Sequence, residues 1–151
     1  MSNLRPLKKL LELAQKKSDD SARQLGRLNF QHKEAEKKLN LLLQYRQSYQ
    51  DRLQNAARNG IGHVEWQNFV TFMNKLDNAI SEQQLAVKHT ETNCQTGSNT
   101  YQSCQRKLNA YSALAHRHEE SEKAQQKMTE QKILDEFTAN RVARDNVDTT
   151  K

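Results

Sequence analysis

Proline occurs once in these 151 residues, at Pro6, and glycine only four times. Both residues break helices, so their scarcity leaves long stretches free to remain helical. Pro6 itself sits where a first helical turn tolerates proline. Hydrophobic residues make up 34% of the chain and aromatics 6%, against 28% charged, too lean for the thick core of a compact enzyme. A narrow apolar stripe needs far less. The longest aliphatic run is Leu41-Leu42-Leu43, so no segment predicts a membrane span. Leu4 to Ala14 is amphipathic, broken by Arg5, Lys8, Lys9 and Glu12, and lacks the apolar core of a secretory leader. The two cysteines, Cys94 and Cys104, lie ten residues apart on one expected helix, roughly 15 Å, which no intrachain disulfide spans. They read as small buried hydrophobes in a reducing compartment, and the chain is expected in the cytosol.

What is present is a seven-residue rhythm, repeated on both sides of Asn59-Gly60-Ile61-Gly62. Before the loop the first series (a) is Leu11, Ser18, Leu25, His32, Leu39, Arg46 and Leu53. The second (d) is Leu7, Ala14, Ser21, Leu28, Ala35, Leu42, Tyr49 and Ala56. After the loop, a is Trp66, Met73, Ile80, Val87, Cys94, Tyr101, Leu108 and Ala115, and d is Phe69, Leu76, Gln83, Thr90, Gly97, Cys104 and Tyr111. A sustained repeat of this period signals long helices sharing one seam. Folding the chain back at the loop brings together residues whose numbers sum to 122. Leu25 then meets Gly97, Ser21 meets Tyr101, Ala14 meets Leu108, Ala35 meets Val87 and Ala56 meets Trp66. Large faces small in successive layers, as a seam of fixed width requires. The predicted fold is all-α, an antiparallel two-helix coiled coil whose second helix outruns the first.

The spacing predicts a helix over about 4–57, a loop at 58–63 and a helix over about 64–140, one hairpin over 1–145 with a flexible tail at 146–151. At 1.5 Å per residue the first helix would run roughly 75–80 Å, which predicts a rod. Thr96-Gly97-Ser98-Asn99 is the locally weak stretch, where close packing against Leu25 is favoured over a kink. Leu4 faces His118 in this register, so nothing on the first helix reaches beyond about 121. The repeat lapses at Glu122 and Gln125 and resumes in altered phase at Met128, Ile133, Leu134 and Phe137. An isolated helix with an apolar stripe is marginal in water, so this stretch calls for a partner from another chain.

Charge is uneven. Residues 1–58 carry 13 Lys/Arg against 6 Asp/Glu, and residues 116–151 carry 7 against 8. A basic first helix suits an acidic protein surface, a nucleic-acid backbone or an anionic membrane, or simply solvates the outside of a coiled coil. The basic residues are interspersed with acids and have few aromatic neighbours, which argues against nucleic acid and membrane. Near the loop, Tyr45 and Phe72 lie just off the seam, with Leu41, Leu43 and Ala79 beside them. Tyr45 faces Asp77, near Phe72 and Leu76, and the cluster is either a recognition patch or a widening of a thin core. Polar seam residues Ser18, Ser21, His32, Arg46, Gln83 and Thr90 fix register, with His32 facing Thr90. His116 and His118 point to different faces, no glycine-rich phosphate loop occurs, and no nucleophile stands with a base. The pattern predicts no enzyme, no metal and no cofactor.

The first helix reads Leu10, Leu13-Ala14, Asp20-Ser21-Ala22-Arg23, Leu25-Gly26, Ala35-Glu36, Leu39, Tyr45-Arg46 and Tyr49. The second reads Trp66, Phe69, Phe72, Leu76, Ala79-Ile80 and Gln83, followed by Glu130-Gln131-Lys132, Asp135-Glu136-Phe137, Arg141 and Arg144. In order and spacing this resembles the flagellar export protein FliJ family over nearly the whole chain. The resemblance implies a non-enzymatic, stalk-like coiled coil of the flagellar type III export apparatus. It would insert into the hexameric flagellar export ATPase and promote its assembly, contact the membrane export-gate protein, and escort late-substrate export chaperones. It would sit at the cytoplasmic face of the inner membrane. The gate-binding residues implied are Leu42, Tyr45, Tyr49, Phe72, Leu76 and Ala79. The unpaired segment, with Met128, Lys132, Ile133, Leu134, Asp135, Glu136, Phe137 and Arg141, would contact the ring. The alternatives are an escort that enters no ring, and the equivalent stalk of a virulence type III system.

Overall fold

The computed structural model describes residues 4–149. Helix α1 runs Leu4–Asn59 and helix α2 His63–Thr149; among the described residues only 60–62 are not helical. The helices pack against each other as a hairpin, and α2 is the longer. The α1 stop is a glycine cap: Gly60 takes φ +84°, a conformation that L side chains rarely adopt, and its N–H donates to the Ala57 carbonyl at 3.3 Å. Two residues later the Gly62 carbonyl accepts from the Trp66 N–H at 3.0 Å and opens α2, whose first turn holds Glu65. Helix α2 begins one residue before the sequence reading and continues to Thr149; of the expected tail, residues 146–149 are helical and Thr150 and Lys151 lie outside the described residues. Thr96 to Asn99 is helical without interruption.

Contacts divide the chain into two units, one taking in residues 17–105 and the other 4–16 with 106–149. In the first unit, the seam follows the seven-residue series. Its a and d residues are buried or half-buried, with Leu76 and Ile80 each 7% exposed. Trp66 is the exception at 43% exposed: its layer is the last before the loop, where Ala56 is too small to cover an indole. Cross-helix hydrogen bonds confirm the register. His32 Nδ1 lies 3.0 Å from Thr90 Oγ1, and Cys94 Sγ donates to the Leu28 carbonyl at 3.3 Å. Gln83 Nε2 donates to the Ala35 carbonyl at 2.9 Å, and Arg46 Nε to Asp77 Oδ1 at 2.6 Å. Gly97 sits under α1 so closely that an added Cβ would lie 2.6 Å from Leu28 Cδ1, so close packing accounts for this glycine.

In the second unit Leu4, Leu7, Leu11 and Ala14 lie on the covered face of α1, and Leu108, Tyr111, Ala115 and His118 on that of α2. Ala14 is 7% exposed. The pairing then stops. From Lys123 to Asp148 every side chain is exposed, because α1 supplies no further residues to face them. No helix among the described residues is long and apolar enough to cross a membrane.

Candidate interaction surfaces

The loop half of the first unit gathers aromatic rings. Tyr49, a seam residue, has its ring centroid 4.3 Å from Phe72 and 5.1 Å from Phe69, both at tilted angles favoured by ring quadrupoles. Phe72 is 38% exposed and Tyr45 58%, whereas Leu42, Tyr49 and Ala79 are half-buried. Leu76 belongs to the core and offers no surface of its own; it backs the others from beneath. The six residues singled out near the loop thus fall into an outer pair, three at the rim and one in the floor. The Tyr49–Phe69–Phe72 cluster was not anticipated as a unit. Its signal was present in the register, which sets Tyr49 opposite Met73, one turn from Phe69 and adjacent to Phe72. Arg46 is held by Asp77 and by Gln50 Oε1, 3.4 Å from its guanidinium, so a charged seam residue points out to paired acceptors.

The unpaired stretch of α2 offers a different surface. Met128 is 75% exposed, Phe137 68%, and Ile133 and Leu134 62% each. Lys132, Asp135, Glu136 and Arg141 are exposed too, with Asp135 accepting from Gln131 Nε2 at 3.3 Å. At about 100° of rotation per residue, Ile133, Leu134 and Phe137 share one stripe, flanked by Glu130, Arg141 and Arg144. Met128, nine residues before Phe137, lies on the opposite side, so the stripe is shorter than the sequence reading has it. Val142 and Val147, exposed at 53% and 63%, extend the apolar content of this segment and were missed because they follow no seven-residue series.

Exposed apolar rows of this kind attract contacts. A family model described as the flagellar FliJ protein matches residues 2–146. The chain belongs to the FliJ family. It is 28% identical over 131 residues to the flagellar FliJ protein of Salmonella typhi, covering 87% of this chain and 89% of that one. To the flagellar FliJ protein of Escherichia coli strain K12 it is 27% identical over 128 residues, 85% of this chain and 87% of the relative. Membership makes this a flagellar protein, and the match embraces both the loop-end cluster and the unpaired segment of α2.

Proposed function

We propose that this protein is a non-enzymatic, stalk-like component of the flagellar type III export apparatus that joins the export ATPase hexamer to the export gate. The carrying observation is the run of α2 from Lys123 to Asp148, which has lost its partner helix yet keeps Ile133, Leu134 and Phe137 exposed. Three large apolar side chains in water on a helix without a neighbour favour insertion into a ring lining. Lys132, Asp135, Glu136 and Arg141 would add polar contacts of both signs beside that stripe. The aromatic cluster of Tyr45, Tyr49 and Phe72, with Leu42 and Ala79 at its rim and Leu76 beneath, would meet the gate protein. Tyrosine and other large aromatics dominate interface energetics when a pocket desolvates them. The same exposed stripes would take up export chaperones between cycles, at the cytoplasmic face of the inner membrane.

Truncation after Ala124 tests the ring assignment. It removes no paired seam layer, so the hairpin should keep its helicity up to that point and its thermal midpoint. Added to the purified export ATPase, the full chain should promote hexamers and raise ATP hydrolysis, and the truncated chain should do neither. If the truncated chain promotes hexamers equally well, insertion of this segment is wrong. If neither chain does, the protein is an escort that enters no ring. Both named relatives are flagellar, which favours the flagellar over the virulence system.

A further inference from the structure

The outward ridge of α1 carries one aromatic side chain that the seam cannot explain. Phe30 sits at the heptad position farthest from α2, two residues after Leu28 and two before His32, and is 63% exposed. The other α1 residues at that position in the same unit are Arg23, Lys37, Gln44, Asp51 and Arg58, all polar. Leu43 and Tyr45 flank the seam and can shield it; a ring on the far side shields nothing. Gly26, one turn before Phe30, leaves a dent bounded by Arg23, Arg27, Phe30 and Gln31. A Cβ built at Gly26 would meet nothing within 4 Å, so neither backbone conformation nor packing demands glycine there, although it costs helix stability.

Four cations surround the ring on this ridge: Arg23, Arg27, Lys33 and Lys37. Arg23 pairs weakly with Asp20 and Lys37 with Glu34, each at 3.5 Å. The basic stretch is short, about 21 Å from residue 23 to 37 at the helical rise. Asp20 lies at its N-terminal end and Glu34 among the cations. Those carboxylates repel a long polyanion or an anionic membrane laid along the ridge, but leave room for a compact acidic element. Arginines one turn apart match two carboxylates one turn apart on a facing helix, and a guanidinium binds carboxylate bidentately. We propose that this ridge docks a short acidic amphipathic helix of a partner protein, its apolar side chain seated in the Gly26 dent against Phe30. This lies beyond the ring and gate surfaces and holds whether or not those assignments do. Arginine and aromatic residues are the side chains that most often anchor interfaces, and a contact this small is of the weak, transient class.

The test uses the full chain and a synthetic helical peptide carrying two glutamates four residues apart with leucine between them. Parallel probes are its glutamine counterpart, a single-stranded oligonucleotide, and phosphatidylcholine vesicles containing phosphatidylglycerol. The glutamate peptide should bind in the micromolar range and the glutamine counterpart at least tenfold more weakly. Arg23→Glu with Arg27→Glu should weaken peptide binding at least tenfold, whereas Lys75→Glu with Lys88→Glu, the same charge change on exposed α2 positions, should alter it less than twofold. Gly26→Leu fills the dent in open space, so it should keep or raise the thermal midpoint while abolishing binding; Phe30→Ala should weaken binding with the midpoint unchanged. Equal binding of both peptides, equal loss from the two charge reversals, or no binding below about 1 mM (about −4 kcal/mol) would overturn the proposal. Tighter binding of the oligonucleotide or the vesicles through Arg23 and Arg27 would overturn it too.

Discussion

Ser18 is the most enclosed side chain among the described residues, 1% exposed, and it is a hydroxyl. Its Oγ accepts from Gln105 Nε2 at 2.7 Å, and Gln105 also donates to the Tyr101 hydroxyl at 3.1 Å, so the buried oxygen is satisfied. A seam two helices wide has little apolar area per layer, so a polar layer of this kind contributes more to register than to stability. Gly97 marks the opposite limit, a layer with no side chain on one helix. Gly97→Ala gains helix propensity of about 0.5–1 kcal/mol while pushing aside the flexible tip of Leu28, so urea denaturation should place it within about 1 kcal/mol of the parent. Gly97→Leu has no such escape, because Leu25 Cα lies only 4.0 Å from the added Cβ, and should cost about 1–3 kcal/mol. Tyr45→Ala removes an exposed ring that stacks on nothing described, so its thermal midpoint should match the parent while motility falls. Unchanged motility at native expression would return Tyr45 to mere shielding. Phe72→Ala is a poorer probe: losing its contact with Tyr49 costs about 0.5–1.5 kcal/mol and mixes folding with binding.

Register is a property of the helix pair, and a disulfide can read it. Cys94 faces Leu28, with its Sγ 3.3 Å from the Leu28 carbonyl. In a Cys104→Ser background, Leu28→Cys should therefore crosslink to Cys94 on mild oxidation, and Leu39→Cys, three layers along, should not. A Leu39→Cys crosslink with none from Leu28→Cys would break the register. The seam and its register were legible in the sequence because a seven-residue period fixes both helices once the loop is placed. The loop was legible because the seven-residue series mirrors about Asn59-Gly60-Ile61-Gly62, whereas the left-handed cap at Gly60 is seen only in the structure. Trp66 was placed on the seam opposite Ala56 and is 43% exposed there, since periodicity assigns a face without knowing that the layer beside a loop has few neighbours. Gln105 escaped notice because it lies one residue past the seam position Cys104, and only its long side chain brings the amide back to Ser18. The aromatic cluster was half visible: Tyr45 and Phe72 stood out as off-seam rings, but the pivotal Tyr49 was absorbed into the hydrophobic repeat.

For the molecule as a whole, the decisive asymmetry is that α2 outlasts α1. A chain with 87 residues in one helix and 56 in the other leaves a helical stretch with no α1 residues to cover it. Composition concentrates basic charge before the loop and near-neutrality after residue 116, so the unpaired stretch carries no strong field of either sign. Membership in the FliJ family and this geometry together place the burden of proof on residues 126–140. Amide hydrogen exchange measures it directly, because exchange reports local opening free energy segment by segment. In the free protein, residues 126–140 should exchange much faster than the seam around Ile80, and on adding the assembled export ATPase ring they should become strongly protected. Protection that appears only around Tyr45 and Phe72, with 126–140 exchanging as fast as before, would contradict insertion of α2 into the ring.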